Sequence, residues 1–364
     1  MGAEELDLYA AHWRHSKTFS FEILSGLQVQ PSKMKHLHLH LHLNDCSIAW
    51  PVKVSDNQSV LHSLETLELE DLMLLDHHQT VLDSIFSTCV NLWKLVLRKC
   101  YFGDLNPILT IAGPSISNLK CLQIFSPRYL RQLQVSAPKL AYFVYHSSTN
   151  INTELSFSNV PKLEEMILDL QLGENRIVDD MFTDFATDNA PQLKRLMSLH
   201  TTFDFINFEP QIPVSMAILC QLEQLELIID MKYCNLLKMI PILVACPLLQ
   251  KFHLTASGPP NKIPYLTYSS KHPFPNLKHV EIRPFYGSCG NPFVFYMLEN
   301  AVALERMILD VTTSRCPDKL CKLKHVSHEV HSQQIRAKVA FPTAKLVFQH
   351  HPNDNTGFTK IFLR

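Results

Sequence analysis

The sequence predicts an α/β solenoid, in which short parallel strands stack side by side and helices or irregular segments return the chain behind them. Three observations predict this fold. Apolar residues with the spacing Leu-x-x-Leu-x-Leu recur along the chain at nearly constant intervals. Helix-like apolar spacing fills several of these intervals, and glycine is scarce, at nine residues in 364. A fixed period of about 20 to 50 residues indicates stacked structural repeats.

Ten copies of the motif are plain in the sequence, and their first positions lie 21 to 30 residues apart. The motif is that of a leucine-rich repeat, in which each unit adds one short strand to a parallel sheet on the concave face of the solenoid. We therefore interpret the apolar motif positions as core. The first residues of the ten copies are Leu64, Leu92, Leu119, Leu140, Leu163, Leu193, Leu222, Leu249, Leu277 and Leu304.

An eleventh copy lies in the stretch KHLHLHLHLNDC at 35–46, where four histidines alternate with four leucines. Its frame starts at either Met34 or His38. Strand side chains alternate between the two faces of a sheet, so both frames put the leucines on the core face and the histidines on the solvent face. The sequence therefore predicts about 11 repeats, joined by right-handed crossovers.

The segments between strands predict two kinds of back to the solenoid. Apolar residues at three- and four-residue spacing indicate helices within 81–92, 180–193, 236–249 and 292–304. Between 119 and 163 the repeats shorten to 21 and 23 residues, which is too little chain for a full helix. We expect extended or single-turn backs there. We also expect residues 19–27 to cover the first strand, because the terminal units of a solenoid need shielding.

The composition excludes several classes of function. A net charge of -1 and a pI of about 7.0 produce no field of the kind that attracts nucleic acid. No apolar run approaches the roughly 18 residues of a membrane span. The sequence contains no phosphate-binding glycine motif and no nucleophile elbow. We therefore expect no enzyme activity and no cofactor, and neither nucleic acid nor a membrane as a partner.

The cysteines indicate a compartment. Ten of them are scattered over the chain, and no signal peptide precedes them. Reduced, scattered thiols are typical of proteins inside the cell. We therefore expect an intracellular protein of the cytoplasm, the nucleus or both.

Function in a solenoid of this kind lies on the residues that alternate with the core leucines and face solvent. Charges of both signs occur at these positions, which suits a protein or peptide better than a phosphate polymer. We therefore expect an unidentified partner protein on the concave face. The candidate contact residues are His38, His40, Glu68, Glu70, Arg98, Gln123, Glu226, His253 and Glu281.

The histidine-rich strand also raises the alternative of a metal site, since imidazoles two residues apart on a strand can reach one zinc ion. Four collinear histidines cannot surround a tetrahedral ion, so further ligands would have to come from Glu68 and Glu70 on the neighbouring strand. A solvated polar face is the simpler interpretation. We predict no metal ligands and keep a His/Glu metal-binding protein as the alternative.

The C-terminal part of the chain carries a family resemblance. The run FPNLKHVEIRPFYGSCGNPFVFYMLENAVALERMILDVTT at 274–313 resembles the FBD-type region of plant F-box/LRR proteins, with a strand, a glycine-containing turn, a helix ending in LENA and a further strand. SAPKLAYFVYHSS and VACPLLQKFHL are similar to repeats of that family. The resemblance divides the chain into a lead-in or cap at 1–33, leucine-rich repeats at 34–273 and an FBD-like region at 274–364 that continues the solenoid.

The resemblance implies a receptor rather than an enzyme. In the family, the repeats recruit a substrate protein, and an N-terminal F-box docks on the Skp1 subunit of an SCF-type ubiquitin ligase. Residues 1–33 show no F-box pattern, so we expect a Skp1-type adaptor as a partner only if an F-box is encoded upstream. A stand-alone scaffold with no ubiquitin role is the alternative.

Overall fold

A computed structural model of the chain describes residues 4–11, 18–20, 34–42, 47–49, 59–74, 78–103, 107–147, 153–170, 193–201, 220–230, 236–257, 272–285, 287–310 and 345–349. The predicted helix within 180–193 and residues 21–27 of the predicted cap lie outside these ranges. The chain divides into two compact units, Met1–Leu196 with Pro213–Ile218 and Met197–Ile212 with Leu219–Arg364. No helix among the described residues is long and apolar enough to cross a membrane.

The first unit is organised around a parallel sheet, in which each of seven described strands pairs with the strand of the neighbouring repeat. Parallel neighbours require a crossover connection, which the back of each repeat supplies. In spatial order the strands are β1 (Glu5–Ala11), β3 (His36–His42), β5 (Thr66–Glu70), β6 (Lys94–Arg98), β8 (Cys121–Phe125), β10 (Tyr142–Ser147) and β12 (Glu165–Leu170).

The motif leucines stack into the core of the first unit, one layer per strand. Leu67, Leu95 and Leu122 are in register on β5, β6 and β8, and each has 0% exposure. Full burial of a leucine side chain contributes about 1.5–3 kcal/mol relative to exposure. The predicted core positions are therefore confirmed. The first motif residues Leu64, Leu119, Leu140 and Leu163 are also fully buried.

The N-terminal segment contributes a strand that sequence analysis does not predict. Residues 1–33 read as a lead-in or cap, whereas β1 pairs in parallel with β3 and extends the sheet by one strand. Leu6 and Leu8 of β1 lie in register with Leu37 and Leu39 of β3. The segment starting at Ala3 is therefore a further, weaker copy of the motif.

The strand register also settles the frame of the histidine-rich strand. Leu37 and Leu39 lie opposite Leu67 and Leu69 of β5, and Met34 is 1% exposed. The motif therefore starts at Met34 rather than His38.

The first unit has both helical and extended backs. A helix at 78–88 confirms the one predicted within 81–92. The two short repeats between 119 and 163 have extended backs, as predicted, at 132–136 and 154–157. A third extended back, at 108–112, lies in the 27-residue repeat that starts at Leu92, and the three strands pair in a second parallel sheet. The elements are α1 (Ser59–His62), α2 (His78–Thr88), β7 (Ile108–Ala112), a 3-10 turn (Pro114–Ile116), β9 (Gln132–Ser136) and β11 (Glu154–Phe157), with β2 (Thr18–Ser20) paired to β4 (Ser47–Ala49).

The second unit is built on the same scheme, with its described strands paired in parallel in chain order. Helical backs confirm those predicted within 236–249 and 292–304. The glycine-containing turn expected in the FBD-like region is instead the first turn of a helix that begins at Gly287. The elements are β14 (Gln224–Asp230), a 3-10 turn (Leu236–Met239), α3 (Ile240–Val244), β15 (Lys251–Ser257), β16 (His279–Arg283), α4 (Gly287–Asn300), β17 (Arg306–Asp310) and β18 (Lys345–Gln349); β13 (Arg195–Thr201) spans the boundary between the units.

The LENA segment ends α4 with a buried asparagine. Asn300 is 7% exposed, and its side-chain amide donates to the carbonyl oxygen of Tyr296 at 2.8 Å. Its own carbonyl oxygen accepts the backbone N–H of Phe274 at 2.9 Å. One residue therefore closes the helix and fixes the chain that enters β16.

Candidate functional site

The solvent-facing side of the first unit's sheet, opposite the buried leucines, carries two rows of side chains in register. The rows run across six adjacent strands, from β1 to β10. The outer row is Tyr9, His40, Glu70, Arg98, Phe125 and His146. The middle row, two residues earlier on each strand, is Asp7, His38, Glu68, Val96, Gln123 and Val144.

The middle row changes character at β6. Its first three members are ionisable, whereas Val96 and Val144 are apolar and only 2% and 3% exposed. Gln123 lies between them, and its side-chain amide donates to the Cys121 Sγ at 3.4 Å. The ionisable side chains of the middle row are therefore confined to β1, β3 and β5.

His38 lies between two carboxylates on different strands. Its Nδ1 is 3.5 Å from Oδ1 of Asp7, and its Nε2 is 3.7 Å from Oε2 of Glu70. The Nε2 atom is buried and has no hydrogen-bond partner. A neutral imidazole carries only one N–H, so one ring nitrogen presents a lone pair toward an acid unless a cation lies between them.

His40, two residues after His38 on β3, also lies between two carboxylates. Its Nδ1 is 3.6 Å from Oε2 of Glu70, and its Nε2 is 3.3 Å from Oδ2 of Asp71. The ring of Tyr9 packs against it edge-on, with 4.7 Å between centroids. Glu70 therefore faces both histidines with the same oxygen.

The Oε1 atoms of the two glutamates on β5, Glu68 and Glu70, bind cationic side chains of the next repeat. Oε1 of Glu70 accepts a hydrogen bond from Nζ of Lys99 at 2.8 Å. Burial raises the pKa of Glu70, but the hydrogen bond and charge of Lys99 and the charges of His40 and His38 outweigh this effect, so the pKa lies below its ordinary value of 4.5. Glu70 is therefore an ionised carboxylate at neutral pH.

Arg98 joins the charged part of the face to an aromatic part. Its Nε donates to Oε1 of Glu68, and its guanidinium carbon lies 4.2 Å above the centre of the Phe125 ring. The ring of His146 follows, 6.5 Å from that of Phe125. Such cation–π contacts contribute about 0.5–1 kcal/mol at exposed sites, and they hold Arg98 in one orientation.

A left-handed residue ends three consecutive strands of this face. Asp71, Lys99 and Ser126 follow β5, β6 and β8 directly and have φ angles of 56°, 52° and 50°. Only glycine, asparagine and aspartate visit this region readily. The repeated turn places Asp71 and Lys99 beside the outer row, although neither belongs to the strands themselves.

The described residues contain two groups whose ligand atoms converge closely enough to hold a metal ion. One is His38, Glu68 and Glu70, and the other is His40, Glu70 and Asp71; within each group the atoms lie within 4.8 Å of one another. Glu70 belongs to both groups. The predicted outward orientation of the His/Glu ladder is therefore confirmed, while its role stays a prediction.

The second unit carries an acid–histidine–acid set of its own. Glu226, His253 and Glu281 are in register on β14, β15 and β16, with Nε2 of His253 3.9 Å from Oε2 of Glu281. Burial and the charge of Glu281 raise the pKa of Glu226 above 4.5, against the opposing effect of His253 and Arg283. This set is not among the converging groups of the described residues.

Sequence reasoning missed six residues of the first unit's site: Asp7, Tyr9, Asp71, Lys99, Phe125 and His146. Phe125 and His146 come directly after the last motif residue, at the same position as Glu70 and Arg98, and this position was the signal for them. Asp7 and Tyr9 were missed because β1 was not predicted, although Ala3-x-x-Leu6-x-Leu8 was the signal that could have revealed it. Asp71 and Lys99 follow their strands in left-handed turns, for which the sequence has no glycine to mark the position.

Stacked parallel strands with a leucine core define the class: this is a leucine-rich-repeat protein, a class that serves as protein-interaction modules. The particular family follows from a family model described as "At1g61320/AtMIF1, LRR domain", which matches residues 1–344; the chain belongs to this family. A comparison with curated proteins finds no match. Among solved structures, the chain is similar to an internalin (inlF) from Listeria monocytogenes, with 12% identity, a TM-score of 0.25, and coverage of 76% of this chain and 74% of that one.

Proposed function

We propose that this chain recruits a partner protein through the outer row of its first unit, as the substrate-recognition part of an F-box/LRR receptor. The observation that carries the proposal is the outer row itself, six side chains in register across six strands. Tyrosine, phenylalanine and arginine, which are enriched at the energetic centres of protein interfaces, make up half of it.

Two members of the row are suited to anchor a partner. Tyr9 is 68% exposed and rests on the edge of His40, so its ring offers a large amphipathic surface in a defined position. Arg98 is held by Glu68 and by the face of Phe125. Side chains that are ordered before binding lose less conformational entropy in the complex. Charges of both signs in the row favour a protein or peptide partner.

The finer part of the proposal rests on the resemblance of the 274–313 region to plant F-box/LRR proteins. In such a receptor the bound partner is a ubiquitination substrate, and a Skp1-type adaptor binds through an F-box, which would be encoded upstream of Met1. We place the receptor in the cytoplasm, the nucleus or both. Buried, unoxidised thiols suit that location: burial raises the pKa of Cys89, Cys100 and Cys246 to about 12.

The test is affinity purification of the tagged full chain from plant cells, with quantitative mass spectrometry of the bound proteins. Wild type is compared with Arg98→Glu and Tyr9→Ala, and with Lys162→Glu as a matched control, since Lys162 is exposed in the turn before β12. The proposal predicts a set of proteins that both row variants lose by at least ~10-fold and the control retains. The same set on all four baits contradicts it.

The same experiment separates the receptor from the stand-alone scaffold. For this comparison the tagged chain includes any coding sequence upstream of Met1, since the adaptor would bind through an F-box there. A Skp1-type adaptor and a cullin that co-purify with wild type and with Arg98→Glu alike support the ubiquitin role, because they would dock away from the outer row. Row-dependent partners without adaptor or cullin support the scaffold.

A further inference from the structure

We propose that His38, Glu68 and Glu70 form a binding site for one divalent transition-metal ion of the zinc class. The site goes beyond the proposed recruitment of a partner, and either proposal can fail without the other. Three relationships carry it: an unpartnered buried nitrogen, convergent ligand atoms, and a surrounding shell that already orients each ligand.

The first relationship is the state of Nε2 of His38. This atom is buried without a hydrogen-bond partner, and the nearest acid is Oε2 of Glu70 at 3.7 Å. Buried polar atoms are nearly always satisfied, and each exception calls for an explanation such as an ion. A cation between the nitrogen and the carboxylate would satisfy both.

The second relationship is the spacing of the ligand atoms. Two atoms bound to zinc at about 2.0–2.1 Å in tetrahedral geometry lie about 3.3–3.4 Å apart. The 3.7 Å between His38 and Glu70 is too long for a hydrogen bond but close to that ligand–ligand edge. Ligand atoms of all three residues lie within 4.8 Å of one another, so small side-chain rotations bring them into a common coordination sphere.

The third relationship is the set of charged side chains that contact the ligands and orient them. Metal-binding histidines generally donate their other ring N–H to a carboxylate, and Nδ1 of His38 faces Oδ1 of Asp7 at 3.5 Å. Each glutamate has one oxygen bonded to a cation, Glu68 to Arg98 and Glu70 to Lys99. The second oxygen of each carboxylate can therefore ligate while the first is held.

The donor set favours zinc over the alkaline-earth ions. Imidazole suits zinc, copper and other transition ions, whereas calcium and magnesium prefer a sphere of oxygen atoms alone. One nitrogen and two carboxylate oxygens leave a fourth position for water or for a group of the partner.

The second converging group, His40 with Glu70 and Asp71, shares Glu70 and competes for the same ion. In that group each nitrogen of His40 faces a different carboxylate, at 3.6 Å and 3.3 Å. His38 also faces two carboxylates, so this arrangement does not separate the two groups. Among the described residues, however, neither nitrogen of His40 is a buried atom without a hydrogen-bond partner, whereas Nε2 of His38 is. His38 has the unpartnered nitrogen, so we assign the ion to the His38 group.

The test begins with the full-length chain after treatment with a chelator. Binding of Zn²⁺ is measured by calorimetric titration, and binding of Co²⁺ is measured by its visible absorption. We expect one ion per chain. His38→Gln and Glu70→Gln should weaken binding by at least ~100-fold, and Asp7→Asn by about 10-fold through loss of the ligand's orientation. His253→Gln is the matched control, because His253 also lies between two glutamates in register without converging ligand atoms, and it should leave the affinity unchanged.

Thermal melts of each metal-free variant separate loss of ligands from loss of fold. The Asp7→Asn variant changes an exposed side chain and keeps the test valid if His38→Gln fails to fold. Binding that survives His38→Gln in a folded protein, binding that depends on His40 instead, or no stoichiometric binding by wild type overturns the proposal.

Discussion

The side-chain amide of Asn118 donates a hydrogen bond to the backbone carbonyl oxygen of Val90, 28 residues earlier, at 2.9 Å. Asn91 donates to His62 and Asn276 to Pro247 in the same way, each across 29 residues. All three asparagines directly precede the first leucine of a motif. The Asn-Leu pair thus joins each of these repeats to the one before it, at the turn where the chain enters the sheet.

Replacing Asn118 with alanine should lower the free energy of unfolding by about 0.5–1.5 kcal/mol, the net value of one hydrogen bond. Denaturant unfolding measures the loss. Lys139→Ala is the matched control: Nζ of Lys139 donates to Oδ1 of Asn118 at 2.9 Å, so this variant removes a contact of the asparagine but keeps its bond to Val90. Equal losses in the two variants would show that the inter-repeat bond contributes nothing.

Leu122 and Gln123 are neighbours on β8 that face opposite sides of the sheet. Leu122 is fully buried between Leu95 and Phe143 in register, so Leu122→Ala should cost about 2–5 kcal/mol through lost burial and the cavity left behind. Gln123→Ala should change stability by less than ~0.5 kcal/mol. Chemical denaturation of both variants checks which side chains of β8 face the core. A larger loss of unfolding free energy for Gln123→Ala than for Leu122→Ala would contradict the assignment.

Glu226 should make the second unit less stable as the pH rises. Its pKa in the folded chain lies above 4.5, because of burial first and the charge of Glu281 next, against the effects of His253 and Arg283. Between the unfolded and the folded pKa the folded state binds more protons, so stability falls with rising pH in this window and stays reduced above it. Glu226→Gln should therefore raise the melting temperature at pH 7 and have no such effect below about pH 4.

Melting curves at several pH values measure this difference. Glu223→Gln is the control, since Glu223 is exposed just before the same strand. A Glu226→Gln variant that is less stable than wild type at pH 7 would mean that His253 and Arg283 outweigh burial.

The parts of the fold that sequence predicts are those set by periodic burial. Leu64, Leu67 and Leu69 fill one layer of the core, and their spacing recurs because every repeat must bury the same face. Repeat length predicts the extended backs at 132–136 and 154–157, but it does not predict the extended back at 108–112, which lies in a 27-residue repeat. β1 was not predicted because Ala3 occupies its first motif position and only Leu6 and Leu8 mark the strand.

The candidate site was predictable in outline only. Alternation places His38, His40, Glu68 and Glu70 on the solvent face, which the register confirms. It does not determine which nitrogen meets which carboxylate, since that depends on side-chain rotamers. The position of Asp71 beside His40 depends on a left-handed turn after β5, which a residue with a β-carbon adopts only in a particular tertiary context.

The measurement that tests the central claim most directly is hydroxyl-radical footprinting of the isolated chain and of the chain bound to its co-purified partner. Tyr9, at 68% exposure in the outer row, reports on the proposed surface. Trp93, at 37% exposure, lies outside both rows, one residue before β6, and serves as the reference. We predict that the partner lowers oxidation of Tyr9 by at least ~5-fold while Trp93 changes little. Protection of Trp93 with Tyr9 still fully reactive would place the interface elsewhere and contradict the account.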